Sequence, residues 1–174
     1  MKVQSRLAVL VAGFFLTAIV AMAGITSDFD HNVNFAHYKT YSWGKVQTAN
    51  GLWDDRVKSA VASQLAAKGL TEVLSGGDVV VAARDAIHNQ QQLNTFYNGF
   101  GGRRFGGGIG MSTTTVDTYK VGTLLVELFD GHSKNLIWQA TANDTLSNNS
   151  DKNIKSLDKN VHKMFEHYPP EPKK

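Results

Sequence analysis

The chain has 174 residues, of which 42% are hydrophobic and 19% charged. That is one domain's worth of sequence, apolar enough to bury a core and too rich in apolar residues for a disordered chain. It holds no cysteine, which excludes a disulfide scaffold, a thiolate metal site, a cysteine nucleophile and an acyl-cysteine lipid anchor.

The first segment carries Lys2 and Arg6 and no acid, and an uncharged apolar run from Leu7 to Val20 follows. Ala21-Met22-Ala23 then places small residues where a signal peptidase reads. This is the pattern of a secretory signal peptide over residues 1–23. A transmembrane helix is the rival reading, but the apolar stretch falls short of the ~20 residues that cross a bilayer. Ser27-Asp28 after it provides no cationic flank. The expectation is a periplasmic or secreted protein with no transmembrane anchor after cleavage. Removing 23 residues leaves 151, and taking Lys2 and Arg6 from 18 cations leaves 16 against 15 acids, a net charge of +1. Such a balance gives no support for nucleic-acid binding, which wants a basic face.

In the mature chain, Ile25, Phe29, Val33 and Phe35 are all odd-numbered, with Asp28, Asp30 and Asn34 between them. Period two predicts a strand over 25–35. Tyr38-Lys39-Thr40-Tyr41-Ser42-Trp43 is a second strand-like run. Trp53, Val57, Val61 and Leu65 recur every four residues, a helical stripe. Asp54 and Asp55 suit its positive end, and Gly69 suits the position after its last turn, so a helix is predicted over 54–68. Asp78 to Ala83 is a β-branched run that suits a central strand.

Residues 89–95 are polar and glutamine-rich. Residues 96–110 hold seven glycines in fifteen positions, predicting a flexible loop between two strands. Ser112–Thr118 and Thr123–Phe129 read as strands, the second with Leu124, Val126 and Leu128 on one face. Asp130-Gly131 opens a turn into Leu136–Ala142. Ser150 can cap a last helix, whose stripe is Ile154, Leu157, Val161, Met164, Phe165 and Tyr168. Pro169-Pro170 ends it, and residues 171–174 form a mobile tail. The order predicts a single α+β domain over 24–170: a two-layer sandwich with two helices on one face of a mostly antiparallel sheet.

Several pieces resemble a bacterial envelope family known as domain of unknown function 4136. They are Asp28-Phe29-Asp30, Phe35, the Tyr38–Trp43 run, Ala60-Val61 with Leu65, and Lys68-Gly69. Further along come Tyr119, Gly122-Thr123-Leu124, Asp130, Leu136-Ile137-Trp138, Val161, Lys163-Met164-Phe165 and Tyr168-Pro169-Pro170. The Tyr-Lys-Thr-Tyr-Ser-Trp run is the most specific. The resemblance implies this element order and an envelope location, and it carries over no catalytic residue. The chain departs from the pattern in lacking a cysteine to acylate and in having Gln139-Ala140 after Trp138 where Arg-Gly is frequent.

The densest set of potential metal ligands is Asp28, Asp30, His31 and His37, but no spacing among them matches a metal motif, and an exposed polar strand face is the expectation. The glycine-rich segment lacks the Gly-x-x-x-x-Gly-Lys-Ser/Thr pattern of a phosphate loop. Its Phe100, Arg103, Arg104 and Phe105 are the expected partner-contact residues. No Gly-x-Ser-x-Gly elbow occurs, and the histidines at 31, 37, 88, 132, 162 and 167 sit in unrelated contexts. Trp43, Trp53 and Trp138 read as core or core-edge residues. Asn143-Asp144-Thr145 and Asn148-Asn149-Ser150 read as polar turns.

The sequence thus predicts no catalytic residue, no metal and no cofactor. It predicts a non-catalytic secreted envelope protein that binds an unknown envelope protein, lipid or glycan. The alternative is a hydrolase of envelope material using a dispersed His/Asp site. Mass spectrometry of periplasmic material should find Gly24 at the N terminus. Ala23→Leu should block processing, because the peptidase pocket admits only small side chains.

Overall fold

The computed structural model describes residues 24–49, 51–98 and 111–170. Its elements are β1 (Gly24–Phe29), a 3₁₀ turn (Phe35–His37), β2 (Thr40–Gln47), α1 (Gly51–Ala67), β3 (Thr71–Glu72), β4 (Val79–Asn98), β5 (Met111–Asp130), β6 (Leu136–Thr145) and α2 (Ser150–Met164). The strands form one sheet in the order β1-β6-β5-β4-β2-β3. β2 runs parallel to β3 and β4, and the other pairs are antiparallel. The α+β sandwich read from the sequence is the observed architecture.

One face of the sheet carries the core. Val79, Val81 and Ala83 of β4 share it with Leu124, Val126 and Leu128 of β5 and with Trp138, Ala140 and Ala142 of β6. The register stacks these positions in rows: Val81 pairs with Leu128 and Leu128 with Trp138, while Ala83 pairs with Val126 and Val126 with Ala140. Along this face of β6 the large Trp138 is followed by the small Ala140 and Ala142. Above them lie Val57, Ala60, Val61 and Leu65 of α1 and Val161 and Met164 of α2, with Phe165. Trp138, Phe165 and Tyr168 make an aromatic cluster with ring centroids 4.8–5.7 Å apart, and Phe35 joins it through Tyr168 at 5.8 Å. Tilted and edge-on rings of this kind add to the burial energy of the side chains.

Local chemistry sets the element ends. Gly69 sits at φ +87°, a conformation that glycine adopts without steric cost. The Leu70 N–H donates to Leu65 O and the Gly69 N–H to Ala66 O, both at 3.0 Å. These two bonds close α1 in a Schellman arrangement, with Leu70 buried behind it. At the start of α2 the cap is Asn149, not Ser150: its side chain accepts from the Asp151 and Lys152 N–H groups.

Several expected boundaries differ. β1 stops at Phe29 instead of running to residue 35. The Asp30 carboxylate accepts from the Asn32 N–H at 2.9 Å and turns the chain, and Asn34 caps the 3₁₀ turn that carries Phe35 inward. Residues 112–118 and 123–129 are not two strands but parts of one twenty-residue strand, β5. The expected loop over 96–110 is shorter at its start, because 96–98 continue β4 and pair with 111–113. Gly99 to Gly110 lie outside the described residues, as do 1–23 and 171–174. β3, two residues long, is too short for a periodicity to register.

Where β4 and β5 begin and end, two backbones touch. A Cβ on Gly77 would lie 2.5 Å from Ser42 N, and one on Gly131 would collide with the carbonyl oxygen of Gly77. The Gly131 N–H donates to Asp78 O at 2.7 Å. Gly131→Ala should therefore destabilise the fold by about 1–3 kcal/mol. Leu65, fully buried, should cost roughly 2–5 kcal/mol on change to Ala. The half-buried Leu157 should cost less. Urea unfolding measures all three.

Candidate functional site

β2 last pairs with β4 at Gln47↔Arg84, and β6 last pairs with β5 at Thr145↔Val121. Past these points β4 and β5 run on together as a two-stranded ribbon. At its root, between the helices and the sheet, lies a cleft of about 150 Å³. Trp53 and Val57 of α1, Ile87 of β4, Leu124 of β5, Ala142 of β6, and Leu146 and Leu157 form its apolar walls. The polar lining is Asp85 from β4, Thr123 from β5, Asp144 and Thr145 from β6, and Asn153, Ser156 and Asn160 from α2.

Asp144 docks α2 on the sheet. One oxygen accepts from the Ser156 hydroxyl and from the Asn160 amide (3.0 Å for the latter), and the other accepts from the Thr145 N–H at 2.8 Å. Ser156 and Asn160 are one helical turn apart, so both reach the same carboxylate. Asn160 is buried, and this pairing satisfies it. Residues 143–145, expected as a polar turn, are thus the end of β6. The partners of Asp144 are twelve and sixteen residues away in sequence, which is why no local pattern marked them.

Asp85 differs. Burial pushes its carboxyl above the ordinary range, the Ala49 N–H pulls it back, and the negative charge of Asp54 raises it again. The acid acting on Asp85 is Asp54, itself held by the Thr48 N–H at 2.8 Å. The Arg56 guanidinium lies 5.1 Å from the centre of the Trp53 ring, a cation–π contact.

At the opposite end of the sheet, two carboxylates tie the turns together through four bonds to backbone N–H groups. Asp78 accepts from the Lys39 and Thr40 N–H groups at 2.9 Å, which hold it below the usual carboxylate range. Asp130 accepts from the Ser133 N–H at 2.7 Å, the His132 N–H at 3.0 Å and the Tyr38 hydroxyl at 2.9 Å. The Ser133 bond leads in holding Asp130 down to about 2. Tyr38 is pushed up to about 12, first by burial and then by donating to Asp130. These groups are saturated by the turns they hold, so this end is structural.

The residues weighed as potential metal ligands, Asp28, Asp30, His31 and His37, disperse into such local roles. Asp28 accepts from the Phe29 N–H and Asp30 from Asn32. His31 stacks edge-on against Phe29, and His37 bonds Asn34. Among the described residues no group of three or more His, Asp or Glu is placed to hold a metal ion. All six histidines are exposed. Trp138 is buried, Trp43 packs against the core, and Trp53 forms a wall of the cleft. Phe100, Arg103, Arg104 and Phe105 lie outside the described residues. No helix among the described residues is long and apolar enough to cross a membrane.

The family described as "Domain of unknown function (DUF4136)" matches residues 25–170, nearly all of the described sheet and both helices. The chain belongs to DUF4136. No curated protein matches this DUF4136 chain in sequence. Its fold is similar to that of a PDZ domain protein from Parabacteroides distasonis, at 14% identity and a TM-score of 0.59. That match covers 86% of this chain and 36% of the other, so the chain spans about a third of that protein's length. The PelC dodecamer from Paraburkholderia phytofirmans is also similar, at 14% identity and a TM-score of 0.50, covering 83% of this chain and 95% of PelC. At such identities the likeness is one of fold. In this DUF4136 protein the Asp130 contacts set an acid limit. Its folded value near 2 lies below the ~3.9 of an unfolded aspartate. Its stabilisation is thus complete above about pH 4 and is lost as pH falls through about 2. In acid titration followed by far-UV circular dichroism, Asp130→Asn should be less stable at neutral pH and show a shallower loss of stability over that window.

Proposed function

We propose that this chain is an exported, non-catalytic module of the cell envelope that binds its ligand in the cleft at the ribbon's root. The observation that carries the reading is the make-up of that cleft. A hydrolytic site needs a nucleophile or water beside a base poised near neutral pH. Among the described residues of the lining the one serine, Ser156, donates to Asp144, and none is a histidine. What remains is an apolar recess with a few polar groups that fix orientation, as in small-molecule binding sites.

Charge narrows the ligand. Among the described residues of the lining the ionisable groups are two carboxylates, Asp85 and Asp144, with no lysine or arginine. An anionic headgroup is repelled there, and a neutral or cationic group on an apolar body is favoured. A volume near 150 Å³ accepts about one aromatic ring or a short alkyl segment. The signal-peptide pattern over residues 1–23 supports export, with the mature chain starting at Gly24, and family membership supports an envelope setting. The partner is then an envelope protein, lipid or glycan that presents such a group.

The test is affinity capture from envelope extract with mature wild-type protein and with Leu157→Trp, which fills the recess from a half-buried position. Mass spectrometry should identify a component retained by the wild type and lost with Leu157→Trp. Equal retention by both would move the binding surface elsewhere. Asp85→Asn should also weaken retention. It should not lower the melting temperature at pH 7, because burial of the charged carboxylate already costs the fold stability.

A further inference from the structure

Beyond this cleft, the ribbon has an edge of its own. Its root is marked by the last pair with β2 at Arg84 and by the Ala49 N–H bonded to Asp85. From Ala86 to Asn98 no strand among the described residues pairs with the outer edge of β4. At about 3.3 Å per residue this edge is roughly 40 Å long. In an antiparallel pair every second residue turns its N–H and C=O away from the partner, so the edge presents a row of outward donors and acceptors.

Proteins guard such edges with lysine, proline, bulges or a covering segment. The stretch Ala86 to Asn98 contains no Lys, Arg, Asp, Glu or Pro. Its pairing with β5 runs without a register shift, so no bulge bends it away. The matching stretch of β5 carries Asp117 and Lys120. Of the two edges, β4 is the unguarded one.

We infer that the outer edge of β4 pairs with the same edge of a second copy, antiparallel about a two-fold axis at Gln91. The sequence is suited to self-pairing. An axis at Gln91 sets Gln91 against itself and Gln90 against Gln92, with no ionised side chain opposite another from Ala86 to Phe96. Stacked amides of this kind support strand pairing between identical chains. The lengths also agree. The free pairs run from Ala86 against Phe96 to Phe96 against Ala86, so the second copy stops beside the hollow between Gln47–Ala49 and Arg84–Ile87, short of Arg84, which β2 already holds. β2 ends where the second copy arrives. A bilayer is a poorer partner, because Asn89 and Gln90 stand on opposite faces of the ribbon and both are exposed; neither face is the continuous apolar band that lipid requires. The product is a four-stranded sheet, β5-β4-β4-β5, with the two globular bodies at opposite ends and an interface of the isologous type.

The test uses mature protein, Gly24 to Lys174, in sedimentation velocity over a concentration series. A reversible monomer–dimer equilibrium is expected. Two triple variants separate this edge from any other contact: Asn89→Lys with Gln91→Lys and Leu93→Lys, and the same positions changed to Glu. Each sets three like-charge pairs across the axis and should weaken association by about tenfold. An equimolar mixture of the two should recover dimer, since every opposed pair is then Lys–Glu. Circular dichroism should show both variants folded; if either is not, the same measurement on the other variant and on Gln91→Lys alone decides. A wild type that stays monomeric at every concentration would overturn the inference. So would a dimer unaffected by the charges, or a ring larger than two built from β4 against β5. None of these outcomes bears on ligand capture by the cleft.

Discussion

Twenty consecutive residue pairs between β4 and β5, with no shift in register, form the constraint on which the rest of the structure depends. The first half of the ladder is the centre of the sheet, where Val81, Ala83, Val126 and Leu128 meet the helices. The second half has no core to face and is held by cross-strand contacts such as the Tyr119 hydroxyl donating to Gln90 at 3.0 Å. A slip of one residue would turn Leu124, Val126 and Leu128 to the open face. That cost fixes the register in the body, and the body transmits it outward along the ribbon.

The cleft follows from the same ladder. Asp85 is the position at which β4 leaves the cover of β2, and Gly122 and Thr123 lie just inside the last pair of β5 with β6, Val121↔Thr145. α1 and α2 span the sheet only as far as these residues, so the recess forms at the junction of covered and uncovered sheet. The Asp85 carboxylate there is half-shielded from water and held by the Ala49 N–H, while its counterpart Asp144 is spent on anchoring α2. The two acids lie in one recess with different duties, and the difference comes from their hydrogen-bond partners.

The body of the fold was legible in the sequence because its elements have one dry and one wet face. Leu124, Val126 and Leu128 alternate with Leu125, Glu127 and Phe129, and the stripe Val57-Val61-Leu65 has helical spacing. Gly69 and the tryptophan in β6 followed from equally local rules. The ribbon was not legible, because both its faces are wet; Asn89, Gln90 and Gln91 obey no alternation when no side is buried. That is also why a single strand over Met111–Asp130 read as two. The cleft was hidden for another reason. Asp85, Asp144 and Trp53 lie on three elements, and nothing in the local sequence marks that α1 and α2 bring them together. The shift from Ser150 to Asn149 as helix cap is the ordinary ambiguity of adjacent capping residues.

The aromatic cluster of Trp138, Phe165, Tyr168 and Phe35 joins segments from both ends of the described chain, while the ribbon shares no side chain with it. The molecule is therefore built with two independent tolerances. Volume changes in the cluster propagate through β1, β6 and the turn after α2 together, so substitutions there must be matched across distant positions. Ribbon positions such as Asn89 and Gln91 are exposed, so changes there leave the packing of the core untouched. Variation in how far and to what this protein reaches is thereby separated from the requirement that it fold.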